Sequence, residues 1–397
     1  MKALKSQRLH IAILGRTNVG KSSLVNAITS QNVSIVSDKE GTTTDVVEKS
    51  AELFPIGAVT FLDTAGIDDK TELGEKRLEK TLNVINRTDI GIIVTDDIGF
   101  TDYEKNIIEK LNSLNIPYIV VVNKSDIKKI NETNLNIIKE YTKNICEVSA
   151  TKTERITDIL VSEMIKIIPD SHINPPSIMG DKLSKQDIVI LVTPIDKEAP
   201  KGRLILPQVQ SIRDILDNDC ISVITQVNNL EYTLNSLKTK PKLVVTDSQA
   251  FKEVSEIVPK NIPLTSFSIL FARLKGDLSA FIKGAEHIKN LKPNDKILIL
   301  ESCTHHAIDD DIARVKIPKL LEKKLGFNLD FEYYTGHDFP DIKPYKLIIH
   351  CGACMTNRKE ILSRIMIAEK EKKPITNYGI VISYCVGILN RAVEIFQ

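Results

Sequence analysis

The chain has 397 residues, 42% apolar and 26% charged, the composition of a folded globular protein of two or three domains and not of a disordered one. Fifty-three basic residues stand against 52 acidic, a net charge of +1, so no broad electrostatic grip on nucleic acid is expected. Lys outnumbers Arg by 41 to 12, which also leaves the guanidinium fork that reads bases scarce. No apolar run reaches the roughly 18 residues a membrane span needs. The opening MKALKSQRLHIAILG has no hydrophobic region ending in a small-residue cleavage site. A cytoplasmic protein without membrane or nucleic-acid partners is the expectation.

Along residues 1–172, apolar runs alternate with amphipathic stretches. The runs are Leu9–Leu14, Val59–Leu62, Ile90–Thr95, Tyr118–Val122 and Ile145–Val148; the helical patterns are Ser22–Ile28, Glu75–Ile85, Asp102–Leu114 and Ile156–Ile167. This order predicts a parallel sheet wrapped by helices. Ile173–Ser177, reading INPPS, is a linker. Residues 173–262 hold short strand patterns, Ile188–Thr193, Ile221–Thr225 and Leu243–Thr246, which predict a small α/β domain with no catalytic constellation. Residues 263–397 predict another, with strands Ile297–Leu300, Asn328–Tyr334 and Leu347–His350 and helices Ala307–Leu325, broken at Pro318, and Arg358–Glu371.

Gly15-Arg-Thr-Asn-Val-Gly20-Lys21-Ser22 fits the phosphate-loop pattern in its required setting, after a strand and opening a helix. Backbone N–H groups over Asn18–Ser23, Val19 and Ser23 included, wrap the phosphates at a helix N-terminus. Lys21 neutralises the β/γ charge and Ser22 ligates Mg²⁺. Asp63-Thr-Ala-Gly66 follows a strand, with Asp63 on Mg²⁺ through water and the Gly66 amide toward the γ-phosphate. Asn123-Lys124-Ser125-Asp126 follows another. A carboxylate at Asp126 accepts from guanine N1 and N2 and so selects guanine over adenine. Ser149-Ala150 offers a backbone amide to guanine O6. Four motifs in order at strand ends predict a P-loop GTP site.

At this point residues 1–168 resemble the Era/MnmE-type branch of small GTPases, which carries GTT-x-D in its first switch; Gly41-Thr42-Thr43-Thr44-Asp45 stands here. The resemblance implies Thr43 on Mg²⁺, with the adjoining Thr42 and Thr44 the alternatives, and Asn18 as a ligand to an activating K⁺, with a turn-forming asparagine the alternative. Ile67 follows the DTAG motif in place of the water-orienting glutamine of Ras-like enzymes, so slow hydrolysis is expected. Asp68, Asp69 and Glu72 are candidates to position the water, with solvated switch residues the favoured reading.

Cys146, Cys220 and Cys385 stand alone among apolar neighbours and read as small buried hydrophobes. Cys303-Thr304-His305 and His350-Cys351-Gly352-Ala353-Cys354 are different. If their strands are parallel neighbours, three thiols meet at one sheet edge. A helix N-terminus at Cys351 and Cys354 would favour thiolates. Three thiolates suit a soft metal, either zinc with a histidine or an iron–sulfur cluster with a weak fourth ligand, the cluster ahead.

C-x-H with H-C-x-x-C behind a potassium-type GTPase is similar to the family of [FeFe]-hydrogenase maturation GTPases, over the whole chain. That resemblance implies a middle dimerisation domain and a [4Fe-4S] cluster on Cys303, Cys351 and Cys354, with His305 and His350 as further ligands or supports. It also implies a scaffold that carries the diiron precursor to immature [FeFe]-hydrogenase, beside radical-SAM maturases, as a homodimer. The alternative is an RNA-modifying or ribosome-assembly GTPase with a zinc module.

Overall fold

The structure, a computed structural model, describes residues 5–30, 38–39, 47–64, 80–152, 154–194, 204–301, 312–337, 339–353 and 356–397. The chain divides into two compact units, Met1–Pro175 and Pro176–Gln397, and the division falls inside INPPS.

The first unit is built on a seven-stranded sheet among the described residues: β1 Leu9–Leu14, β2 Asp38–Lys39, β3 Val47–Leu53, β4 Gly57–Asp63, β5 Ile90–Thr95, β6 Tyr118–Val122 and β7 Ile145–Glu147. Their order is β2-β3-β4-β1-β5-β6-β7. The strands from β4 to β7 are parallel. All residues of β1, β5 and β6 are buried, as helices on both faces require. The expected parallel sheet is present, and at one edge it carries two antiparallel additions, β3 against β4 and β2 against β3. β3 reads VEKSAEL, half-exposed, too polar to stand out as an apolar run. The described helical residues before β5 begin at Lys80; the rest of the helix expected over Glu75–Ile85 lies outside the described residues.

The second unit contains two four-stranded parallel sheets. One has the order β11-β10-β8-β9, from β8 Ile188–Val192, β9 Ile221–Thr225, β10 Leu243–Thr246 and β11 Leu264–Ser266. The other has the order β13-β12-β14-β15, from β12 Lys296–Glu301, β13 Asp330–Thr335, β14 Leu347–His350 and β15 Ile375–Asn377. β11 pairs with β10, Val244 opposite Leu264, so the middle sheet extends past the division expected at residue 262. One hydrophobic core serves both sheets: Ile190, Val244 and Leu264 of the first pack in the same buried cluster as Ile297, Ile348 and Ile375 of the second. Pro318 lies in the first turn of Ile317–Leu325, directly after a π-helical turn at Ile312–Lys316, so the change of winding falls where the missing N–H interrupts the hydrogen-bond ladder.

Candidate functional site

The phosphate loop is shaped by two close approaches. Gly15 has φ +142°, and a Cβ there would lie 2.2 Å from the Val94 carbonyl oxygen; at Gly20, φ +95°, it would lie 2.3 Å from Asn123 Nδ2. Neither position admits a side chain. Lys21 begins the helix Lys21–Ser30, and its buried ammonium donates to Gly15 O at 2.9 Å and Arg16 O at 2.7 Å. The charge is thus held inside the loop, where phosphate oxygens compete with two carbonyls for it. Ser22 and Ser23 stand exposed on the first turn. The Ser22 hydroxyl donates to Asp63 Oδ2 at 2.9 Å, while Asp63 Oδ1 is buried with no donor among the described residues. Burial raises the Asp63 pKa above the ordinary carboxylate range, opposed by the Ser22 hydroxyl and the Lys21 and Lys49 ammoniums. An orphaned carboxylate oxygen beside a hydroxyl is a donor set that fits Mg²⁺.

Asn123 is the hub of the base side. Buried, it donates from Nδ2 to Val19 O and accepts at Oδ1 from Ala150 N, both at 2.9 Å. One side chain therefore fastens the phosphate loop to the Ser149-Ala150 loop. Lys124, with φ 60°, donates to Asn18 O, and Asn18 has φ 63° with an exposed side chain. The Ser149 hydroxyl foremost, with Lys152 at 3.2 Å, holds the Asp126 carboxyl below the usual range, so it stands ionised as a guanine acceptor must. Thr43 and Gly66 lie outside the described residues.

Sequence reasoning missed Arg16. Its guanidinium reaches Glu104 at 3.0 Å, Asp96 and Thr95 at 3.2 Å and Gly99 O at 3.1 Å. Glu104 is fully buried and its other oxygen caps the helix Asp102–Ser113 through Thr101 N at 2.9 Å. The Thr-x-x-Glu capping box was readable in the sequence; the tertiary half of the contact was not.

In the second unit β12 and β14 are parallel neighbours, with Leu300 opposite His350. Cys351 N donates to Leu300 O at 2.9 Å, and its thiol is half-buried at the C-terminal edge of the sheet. Cys303, Cys354 and His305 lie outside the described residues. One expectation changes. The helix after Cys351 starts only at Arg358, capped by Asn357, whose side chain accepts from Glu360 N at 3.2 Å, so Cys351 precedes the helix instead of sitting on its first turn. His350, expected as a ligand or a support, has both ring nitrogens engaged by protein groups in this structure. Its Nδ1 meets the Cys351 carbonyl at 2.9 Å and its Nε2 meets Arg364 at 2.6 Å. A carbonyl and a guanidinium leave one assignment, Nδ1 donating and Nε2 accepting, and the lone pair a metal would need is spent on Arg364. Arg364, itself buried, also donates to Glu360 at 2.7 Å and to the carbonyls of Gly336 and His337 at 3.1 Å. Burial raises the other described thiols, Cys146 to about 11 and Cys385 to about 12, and Cys220 also upward, which suits inert residues; Cys146 and Cys220 are buried as expected, Cys385 only half-buried.

The described motifs on the C-terminal edge of the first sheet define a P-loop GTPase domain. Residues 10–124 match the model of the 50S ribosome-binding GTPases. The tRNA modification GTPase MnmE of Mesoplasma florum is 37% identical over 174 residues, 43% of this chain and 36% of that protein. GTPase Der of Nitratiruptor sp. is 28% identical over 260 residues, 58% of this chain and 55% of that protein, and GTPase Era of Thermoanaerobacter sp. is 30% identical over 229 residues, 54% and 73%. The chain thus spans about a third to a half of the length of the first two relatives. Beyond the GTPase domain, residues 178–276 match the Hydrogen maturase F dimerization domain and residues 279–395 the Hydrogen maturase F tetramerization domain. The chain belongs to the hydrogen maturase F (HydF) family. Among the described residues no helix is long and apolar enough to cross a membrane.

Proposed function

We propose that this chain hydrolyses GTP slowly, with Mg²⁺ and K⁺, and serves as an iron–sulfur scaffold that carries the diiron precursor during [FeFe]-hydrogenase maturation. Its partners are then the radical-SAM maturases and the immature hydrogenase, and its compartment the cytoplasm. In the GTP site Lys21 binds the β/γ-phosphates, Ser22, Asp63 and Thr43 hold Mg²⁺, the Gly66 amide faces the γ-phosphate, and Asn18 contributes to K⁺. Asp126 and the Ser149-Ala150 loop select guanine. In the second unit Cys303, Cys351 and Cys354 hold a [4Fe-4S] cluster, with His305 nearby and His350 orienting the Cys351 backbone. When bound, that cluster supplies an iron with an exchangeable coordination position. The observation that supports the cluster reading is the pairing of Leu300 with His350, which brings the C-terminal ends of β12 and β14 side by side next to Cys351. Matches to HydF modules over residues 178–276 and 279–395 weigh against the RNA-linked alternative.

The proposed division is a GTP-binding domain, a dimerisation domain and a cluster domain. Edge strand β9 exposes Ile221 and Ile224, and Tyr232 follows nearby, 78% exposed. An unpaired apolar edge of this kind calls for cover, which supports a homodimer built on the middle sheet. The test is anaerobic reconstitution of the full chain and its Cys351→Ser variant. The wild type is expected to bind iron and give an electron paramagnetic resonance signal after reduction. The variant is expected to lose most of both while its GTPase rate is kept. A colourless, zinc-loaded wild type would overturn the reading.

A further inference from the structure

Two carboxylates lie behind the phosphate loop. Glu104 is fully buried, and the Asp96 side chain is 14% exposed. Both belong to residues 95–104, which follow β5 and open the helix Asp102–Ser113. Negative charge at the back of a loop that must take in a triphosphate opposes binding, and a buried charge is little screened by water or salt. The Arg16 guanidinium joins the loop to both acids, with Nε on Glu104 and Nη2 on Asp96. Among the described residues Glu104 has no second cation, and Lys124 comes no nearer to Asp96 than 4.0 Å. Without Arg16, Glu104 would be an unpaired buried charge, the costly half of a broken pair.

The backbone of the same residue holds the loop's own cation, for Arg16 O accepts from the Lys21 ammonium at 2.7 Å. The Arg16 side chain is fastened at four points: the two acids, the Thr95 hydroxyl and Gly99 O. The Thr95 hydroxyl in turn donates to Gly99 O at 2.7 Å. A guanidinium can serve all four because its donors spread in a plane, a fork that a lysine ammonium does not offer. A brace and a counter-charge differ in one respect. In a brace only the bonds count, so Arg16 and Glu104 are equally needed by the nucleotide. In a counter-charge the sign counts, so the two halves of the pair act on the nucleotide in opposite directions.

We infer that Arg16 is a positioning residue for nucleotide binding that cancels the charge of Glu104 and Asp96 behind the phosphate loop, so that the attraction of Lys21 for the phosphates is not opposed from the rear. The inference rests on the proposed role of Lys21 at the β/γ-phosphates. It is tested on the full chain with Mg²⁺ by fluorescent-GDP titration, GTP hydrolysis kinetics and thermal melting of the same samples. Arg16→Gln is expected to weaken GDP binding and raise the KM for GTP about tenfold or more. Its kcat is expected to stay within about twofold, as for a lost interaction common to ground and transition states. Glu104→Gln keeps the shape of the side chain and removes its charge. It is expected to melt lower, having weakened both the Arg16 bond and the helix cap, yet to bind GDP at least as tightly as wild type. The double variant is expected to recover most of the affinity lost in Arg16→Gln. Wild-type affinity in Arg16→Gln, or a double variant no tighter than it, overturns the inference. So does a Glu104→Gln variant that loses GDP affinity, an arm that decides the matter even if Arg16→Gln fails to fold. Lys21→Ala is measured beside them: normal GDP affinity there removes the phosphate-loop reading itself, a failure separate from the sign of the Glu104→Gln effect.

Discussion

Replacing Asn123 by Ala tests whether the phosphate and guanine sides of the site are one piece. The substitution removes a donor from Val19 O and an acceptor from Ala150 N, each at 2.9 Å in a side chain only 2% exposed. No neighbour is placed to replace both, so a carbonyl and an N–H are left unsatisfied. At about 1–3 kcal/mol for each stranded buried group, the loss is about 2–6 kcal/mol. In a domain of this size that corresponds to a melting point lower by roughly 4–24 °C. Urea and thermal unfolding of the nucleotide-free protein measure the stability, and fluorescent-GDP titration measures binding, which is expected to weaken as the two loops lose their common anchor. Asn123→Asp keeps the acceptor but turns a carboxylate toward the Val19 carbonyl, and is expected to be at least as damaging. An Asn123→Ala variant within about 0.5 kcal/mol of wild type would refute the hub.

Asp126→Asn is expected to relax the preference for guanine by roughly 10- to 100-fold for each charge-assisted bond lost; unchanged discrimination against ATP in competition binding would remove Asp126 from that role. Asp63, with a pKa raised by burial, contributes stability that is complete below its unfolded pKa and lost as pH rises through the folded one. Asp63→Asn, which has no carboxyl to ionise, is therefore expected to melt higher than wild type at neutral pH without Mg²⁺, with the gap closing toward pH 4, and to lose Mg²⁺-dependent nucleotide binding; equal melting at both pH values counts against a desolvated carboxylate. Hydrolysis is expected to be faster in K⁺ than in Na⁺ at equal ionic strength, a fixed cation offsetting charge in the transition state; equal rates would leave Asn18 as a turn residue.

What the sequence carried best were the buried parallel strands. Leu9–Leu14, Ile90–Thr95, Tyr118–Val122, Leu243–Thr246 and Leu347–His350 were bounded to the residue, because a strand covered on both faces must be apolar throughout. Strands outside that condition escaped notice: β3 is half polar, and β11 and β15 have three residues each. The helices Leu206–Asp217 and Phe267–Lys275 were missed as well, the second because its buried face leaves too little polar contrast for a period to show. The site divides in the same way. Motif residues such as Lys21, Ser22 and Asp63 were found because phosphate chemistry fixes their spacing. Arg16 with Glu104, and Arg364 with His350, are joined across 88 and 14 positions, and no local pattern announces such partners.

The core shared by the two sheets of the second unit bears on how the later modules hold together. Ile190 and Leu264 on one side and Ile297 and Ile375 on the other lose water in a single event, so the C-terminal module has its interior in common with the middle one, which keeps a second apolar layer, Val189, Leu191, Ile215 and Phe271 among it, on its other face. Heat or denaturant should therefore take both in one cooperative transition. A chain ended between the two would present its half of that interior to solvent as an adhesive surface, which makes the pair, and not either module, the smallest piece of this region that evolution or an experimenter can move intact.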